Sequence, residues 1–161
     1  IKSMLDLGCG DWWWMRTIRE HLEGIQYIGW DAHQGMVDDL NKEFGNELTT
    51  FEYADIVEGT YPTVDLAFCR DVLFHLTIEN TQKVLKNLRD AKIKYFMTTT
   101  FLEANTNTDI RPRADIPNWG FYEINLNIPP FNLEDNMVDY SEESLPPSNG
   151  KKRFLCMYQL F

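Results

Sequence analysis

The chain has 161 residues, with 15 Lys and Arg against 25 Asp and Glu, which gives a net charge of −10 and a pI near 4.7. That length suits one core burying roughly 70% of the unfolded surface, and 43% hydrophobic with 14% aromatic residues excludes a disordered or fibrous chain. The acidic balance argues against nucleic acid gripped through its phosphates, which requires clustered Lys and Arg, and no apolar run approaches the ~20 residues of a membrane-spanning helix.

Short apolar runs alternate with amphipathic stretches through the first 101 residues. Met4–Leu7 is predicted as a buried strand, and Trp13, Thr17, Ile18 and Leu22 recur at helical spacing up to Gly24. Ile25–Trp30 forms a second strand. Met36, Val37, Leu40 and Phe44 stripe a second helix that stops at Gly45. Leu48–Tyr53 and Val64–Cys69 are the third and fourth strands. Thr77, with Glu79 in the first turn, caps a helix that buries Ile78, Val84, Leu85, Leu88 and Ala91. Ile93–Phe101 is a fifth strand. Beyond it, Asn, Asp and Pro dominate Glu103–Asn118, and Phe121–Ile128 and Arg153–Phe161 are expected to form an antiparallel pair finishing the same sheet.

This order predicts a doubly wound α/β domain: a mostly parallel sheet with helices on both faces and right-handed crossovers. Residues 1–161 are expected to form a single domain. The chain opens on Ile1 and enters Met4–Leu7 at once, so a further upstream segment is expected as well. Cys9, Cys69 and Cys156 are scattered beside apolar segments with no signal peptide, which predicts reduced thiols and a cytoplasmic protein. No cysteine or histidine spacing fits a metal site.

The chemistry concentrates at the strand ends. Asp6-Leu7-Gly8-Cys9-Gly10 closes the first strand where a parallel sheet opens onto its ligand crevice. Glycines there permit a sharp turn and close approach of a ligand. A Gly-rich turn serving the backbone alone is the other reading. Asp31 closes the second strand 21 residues beyond Gly10, where a carboxylate can accept from both hydroxyls of a ribose. Alternatively it caps the helix beginning near Gln34. Together the two features favour an adenosine-containing ligand. A dinucleotide fingerprint would need a third small residue at position 13, where Trp13 stands. A nicotinamide-dependent oxidoreductase is thereby disfavoured.

An acidic residue two places before Gly-x-Gly resembles motif I of the class I S-adenosylmethionine-dependent methyltransferases. Glu52-Tyr53-Ala54-Asp55-Ile56 is similar to that family's third-strand end, and the run from Val64 to Leu76 to its fourth strand and following turn. The family's frequent third glycine falls on Trp12, and its upstream helix has no counterpart in these residues. The resemblance implies a Rossmann-like fold with S-adenosylmethionine as cofactor and S-adenosylhomocysteine as product. Asp6, Gly8, Cys9 and Gly10 would cradle the methionine end, and Asp31, with Ala32 beside it, would hold the ribose. Asp55 and the Ile56 N–H would meet the adenine, and Cys69 and Arg70 would floor the sulfonium. Trp12 either packs a helix onto the sheet or walls the cofactor, since an aromatic face attracts a sulfonium.

For a hydroxyl acceptor a base is needed. Asp71 and His75, at i and i+4, share a face if their turn is helical; otherwise Asp71 caps backbone and His75 packs on Phe74. His21 and His33 are expected at the surface, and Lys151-Lys152-Arg153 is expected as a solvated strand entry. Asn105, Asn107, Asp109, Arg111 and Arg113, with Trp119, Phe121 and Tyr122, offer amides and aromatics to a small polyhydroxylated or zwitterionic acceptor, or form a loop without contacts. The expected activity is methyl transfer to a small-molecule or glycan-type acceptor, oxygen before nitrogen. A non-catalytic S-adenosylmethionine-binding regulatory or scaffold module is the alternative.

Overall fold

The computed structural model describes residues 1–109, 120–144 and 151–161. Seven strands form one sheet: β1 Ser3–Leu7, β2 Gln26–Asp31, β3 Thr49–Tyr53, β4 Leu66–Cys69, β5 Tyr95–Thr100, β6 Met137–Glu142 and β7 Phe154–Gln159. Their spatial order is β3-β2-β1-β4-β5-β7-β6, parallel from β3 to β5 and antiparallel in the β5-β7-β6 portion. This is the doubly wound, Rossmann-like α/β architecture with an antiparallel C-terminal pair. The chain reverses direction across the sheet between β1 and β4, so the loops leaving their carboxyl ends part and open a crevice there.

Pleating explains why these runs are almost wholly apolar. Leu5 and Leu7 of β1 enter a core with Trp30, Ala67, Cys69, Phe96 and Tyr158, while Met4 enters a second core on the other face with Tyr27, Phe51 and Phe68. Helix α2, Gln34–Phe44, covers the second face through Val37 and Leu40; helix α3, Ile78–Asp90, covers the first through Val84, Leu85 and Leu88. Thr77 caps α3 as expected, its hydroxyl accepting from Asn80 N at 3.1 Å.

Two expectations are corrected. The first helix is only α1, Trp13–Arg16, followed by a 3₁₀ turn at Arg19–Leu22. Thr17 and Ile18 interrupt it: both are β-branched, their N–H groups bond three residues back, and the Thr17 hydroxyl donates to Trp14 O. The second concerns Phe121–Ile128, which is not a strand. Tyr122, Ile124 and Leu126 are buried as their alternation predicts, but β4 and β7 already occupy both edges of β5. The segment therefore packs over the sheet face, bonding Phe101 N to Ile124 O and Tyr122 N to Phe74 O. Its place in the sheet goes to β6, an edge strand whose outward Val138 and Tyr140 are exposed.

Asparagines stand in for the missing ladder. The Asn125 amide donates to Leu102 O and Ala104 O, and Asn107 donates to Asn125 O and Pro129 O while accepting from Asn125 N. Asn125 is 3% exposed, so water cannot replace these bonds. Asn125→Ala is expected to destabilise the fold by about 1–3 kcal/mol in urea denaturation, because buried carbonyls lose their donors.

Candidate functional site

The carboxyl ends of β1 and β4 bound a cleft of about 240 Å³ lined by Asp6, Gly8, Cys9, Asp11, Phe68 and Arg70, with Trp13, Trp14 and Met15 along one side. Gly8 (φ 80°) and Gly10 (φ 57°) both hold the left-handed backbone region that the turn requires. A Cβ on Gly8 would lie 2.6 Å from a Val72 methyl, so that glycine lets the β4 loop close over the turn. Around Gly10 there is open space. The bare backbone at the tip of the loop is thus Gly10.

Asp31 reaches that tip. Its Oδ2 accepts from Gly10 N at 3.1 Å and its Oδ1 from His33 N at 3.0 Å, so one carboxylate ties the loop after β1 to the loop after β2. It does not cap α2: His33 does, its Nδ1 accepting from Met36 N at 3.1 Å. The helix cap at His33 was illegible because histidine is not a usual capping residue. Ala32 is exposed beside Asp31. At the next tip Asp55 is exposed and closes a turn by accepting from Val57 N at 2.7 Å; half-buried Ile56 gives its carbonyl to the Tyr61 hydroxyl at 2.6 Å. The tips of β1, β2 and β3 therefore bring Gly10, Asp31 and Asp55 to one rim, in the order expected of an adenosine site.

Asp6 sits deeper, 4% exposed, with Oδ2 accepting from the Tyr27 hydroxyl at 2.5 Å. Burial is the main cause pushing its carboxyl up to about 7; the Tyr27 bond opposes this and nearby Asp31 adds to it. Cys9, also at the cleft, has its thiol pushed up by burial.

Several expected roles do not survive the geometry. Trp12 is 4% exposed and lies among Tyr27, Phe44 and Phe51, with ring centroids 4.9–5.7 Å away. It packs the second core and does not wall the cleft. That position falls to Trp14, stacked on Phe68 at 5.5 Å beneath the Arg70 guanidinium, and to Trp13, which is 62% exposed with Arg16 over its ring. Cys69 is fully buried in the core on the α3 face, so the floor beside Arg70 is Phe68 instead.

Asp71 and His75 do not share a helical face. Asp71 has φ 59° and the 3₁₀ turn starts only at Leu73. The Asp71 carboxylate is held by Arg70 and Arg153, each at 3.2 Å, and by the Thr99 hydroxyl at 3.2 Å; Arg70 also reaches Glu143 at 2.8 Å. Arg153, expected in a solvated run, is instead a partner in this network. His75 packs on Phe74 at 4.5 Å, with Nδ1 2.9 Å from Gly120 O. A carbonyl only accepts, so Nδ1 carries the hydrogen and Nε2 is the basic nitrogen of the neutral ring.

Beyond β5, Asn105, Asn107 and Asp109 were expected to face an acceptor. Asn107 is spent on Asn125 and Pro129, and Asp109 accepts from Ile78 N at 3.0 Å. Arg111, Arg113 and Trp119 lie outside the described residues, as does the Pro146–Gly150 loop. Among the described residues no group of His, Cys, Asp and Glu could hold a metal ion, and no helix is long and apolar enough to cross a membrane. A larger cleft, about 530 Å³, opens at the amino ends of β2 and β3 between Arg19–Ile25 and Glu43–Thr49. Its lining contains none of Gly10, Asp31 and Asp55.

The fold is Rossmann-like, and its rim at the carboxyl ends of β1, β2 and β3 carries Gly10, Asp31 and Asp55. Residues 5–91 match the family of methyltransferase domains, and the chain belongs to it. Its cofactor is S-adenosylmethionine, and the open Gly10 tip beside Asp31 fits that molecule's adenosine. No curated protein matches the sequence. Among solved structures, human N-acetylserotonin methyltransferase in complex with S-adenosylmethionine is similar at 14% identity and TM-score 0.67, covering 98% of this chain and 47% of that one. A Mesorhizobium loti S-adenosylmethionine-dependent methyltransferase is similar at 16% and 0.66, with 98% and 90% covered. Burkholderia thailandensis 1,6-didemethyltoxoflavin-N1-methyltransferase, bound to 1,6-didemethyltoxoflavin and S-adenosylhomocysteine, is similar at 16% and 0.73, with 98% and 70% covered. The chain spans about half the length of the first of these. Identities this low establish a common fold.

The raised Asp6 carboxyl makes stability depend on pH. Folded Asp6 holds its proton up to about 7 whereas an unfolded one releases it near 3.8, so between those values the native state binds more protons and stability falls as pH rises. Asp6→Asn should therefore gain about 3 kcal/mol relative to wild type between pH 5 and pH 8 in urea titrations, at 1.36 kcal/mol per pKa unit.

Proposed function

We propose that the chain works as one S-adenosylmethionine-binding domain that transfers a methyl group to a small-molecule or glycan-type acceptor, with oxygen as the favoured atom. The single observation that carries the reading is the Asp31 carboxylate at 3.1 Å from Gly10 N, beside open space at a strand-tip rim.

When bound, S-adenosylmethionine supplies an electrophilic methyl group on a positively charged sulfur. The protein has to align an acceptor with it, keep water away, and receive a proton if the acceptor is a hydroxyl. Asp6, Gly8, Cys9 and Gly10 hold the methionine end, Asp31 with Ala32 the ribose, and Asp55 with the Ile56 N–H the adenine. Trp13, Trp14 and Phe68 line the cleft with aromatic rings. Arg70 is charge-compensated by Asp71 and Glu143, so it presents its stem and a neutralised head to the cleft. Asp71 is withdrawn as a base, because its carboxylate is occupied by the Arg70 and Arg153 guanidiniums and the Thr99 hydroxyl. The base role is assigned to His75 through Nε2, from a place beside Phe74 and Phe121 and outside the residues that line the cleft. A cytoplasmic location is part of the proposal, and the three free cysteines, Cys9, Cys69 and Cys156, support it.

Asp31→Ala should weaken S-adenosylhomocysteine binding, measured by calorimetry, by about 1–3 kcal/mol through lost charged hydrogen bonds; unchanged affinity would remove Asp31 from the site. His75→Ala should slow transfer of labelled methyl groups to hydroxyl acceptors at least about tenfold, the low end of general-base effects being higher still, with cofactor affinity intact. Cofactor binding without turnover on any acceptor would identify a non-catalytic module.

A further inference from the structure

Tyr27 lies on the middle of β2, is fully buried, and has no place in the motif pattern that marks the site. Its ring is locked by Trp12 at 5.7 Å and Phe51 at 5.8 Å, and its hydroxyl meets Asp6 Oδ2 at 2.5 Å. Asp6 also lines the cleft, and among the described residues no donor bonds its other oxygen. A buried acid beside an open cleft, anchored on one side by a ring that cannot turn, has a single orientation.

We propose that Tyr27 is a positioning residue for cofactor capture: its hydroxyl pins one oxygen of Asp6 so that the other meets the cationic amino group at the methionine end of the cofactor. The proposal rests on the methyltransferase reading and adds to it a residue and a coupling. Asp6 must be ionised to hold an ammonium group, and burial holds it protonated up to about 7. The groups facing it are Tyr27 and Asp31 on β2, Cys9 and Asp11 on the loop after β1, and Cys69 and Arg70 at the end of β4. Asp31 disfavours ionisation, and the Tyr27 hydroxyl is the neighbour whose hydrogen bond favours it. Capture is then linked to release of one proton from Asp6, and Tyr27 sets the pH at which that happens.

The test is S-adenosylhomocysteine affinity by calorimetry from pH 5.5 to 9. Wild type should bind more tightly as pH rises and level off above neutrality. Tyr27→Phe, which keeps the packed ring, should move that midpoint up by about one unit, so that affinity drops about fivefold at pH 7 and recovers by pH 9. Asp6→Asn should bind weakly with no midpoint. A Tyr27→Phe profile with the wild-type midpoint, whether or not affinity falls uniformly, would overturn the proposal. Carboxyl NMR of the ligand-free wild type gives a second reading that does not depend on any variant folding. Asp6 should titrate near neutrality and shift downward on adding S-adenosylhomocysteine, and an ordinary carboxylate titration would contradict the coupling. Absence of S-adenosylhomocysteine binding at every pH, with Asp6 still titrating near neutrality, would instead reject the cofactor assignment.

Discussion

One carboxylate joins the two loops on which this site is built. Asp31 accepts from Gly10 N in the turn after β1 and from His33 N at the start of α2, so neither loop can settle without the other. At the switch point between β1 and β4 the outgoing loops diverge, and no sheet hydrogen bond crosses the gap beyond Asp6–Phe68. The turn after β1 is therefore held from its other side, by charge-assisted bonds to Asp31 on β2, whose position at the tip leaves it in reach of a ribose.

Behind this rim the two faces of the sheet do different work. On the α2 face, Trp12, Tyr27 and Phe51 form an aromatic block whose Tyr27 hydroxyl is aimed at Asp6. On the α3 face, Cys69, Phe96 and Tyr158 are inert filling, with thiol and hydroxyl both pushed toward their neutral forms by burial. Between them, Arg70 and Arg153 fasten the end of β4 to the β6–β7 hairpin through Asp71 and Glu143. Partly buried charges are tolerated there because each has an opposite partner within hydrogen-bonding reach. The same pairing makes Asp71 a structural group.

Elements whose identity depends on local pattern were legible in the sequence: the apolar strands β1, β2 and β4, the Thr77 cap, and the amphipathic α2 and α3. Gly10 and Asp31 were legible from their spacing at the ends of successive strands, and Asp55 only from the resemblance of Glu52–Ile56 to a methyltransferase third-strand end. What escaped depended on distant competition. Phe121–Ile128 alternates like a strand, but no sheet edge remained for it, while β6 carries Asp139, Ser141 and Glu142 and looks polar because an edge strand needs little apolar surface. The three consecutive tryptophans pointed to a role without saying which ring would take it; the left-handed Trp12 (φ 59°) turns that ring into the core and leaves Trp13 and Trp14 at the cleft. Asp71 and His75 were separated by another positive φ that no residue type announces.

The central claim is that adenosine binds across the tips of β1, β2 and β3, away from the larger cleft at the amino ends of the strands. Amide NMR of the labelled protein titrated with S-adenosylhomocysteine tests it most directly. The N–H signals of Gly10, His33 and Ile56 should shift together and saturably, with little change at Gly24, Gly45 or Asn46. Shifts confined to those last three, with the strand-tip signals still, would contradict the account.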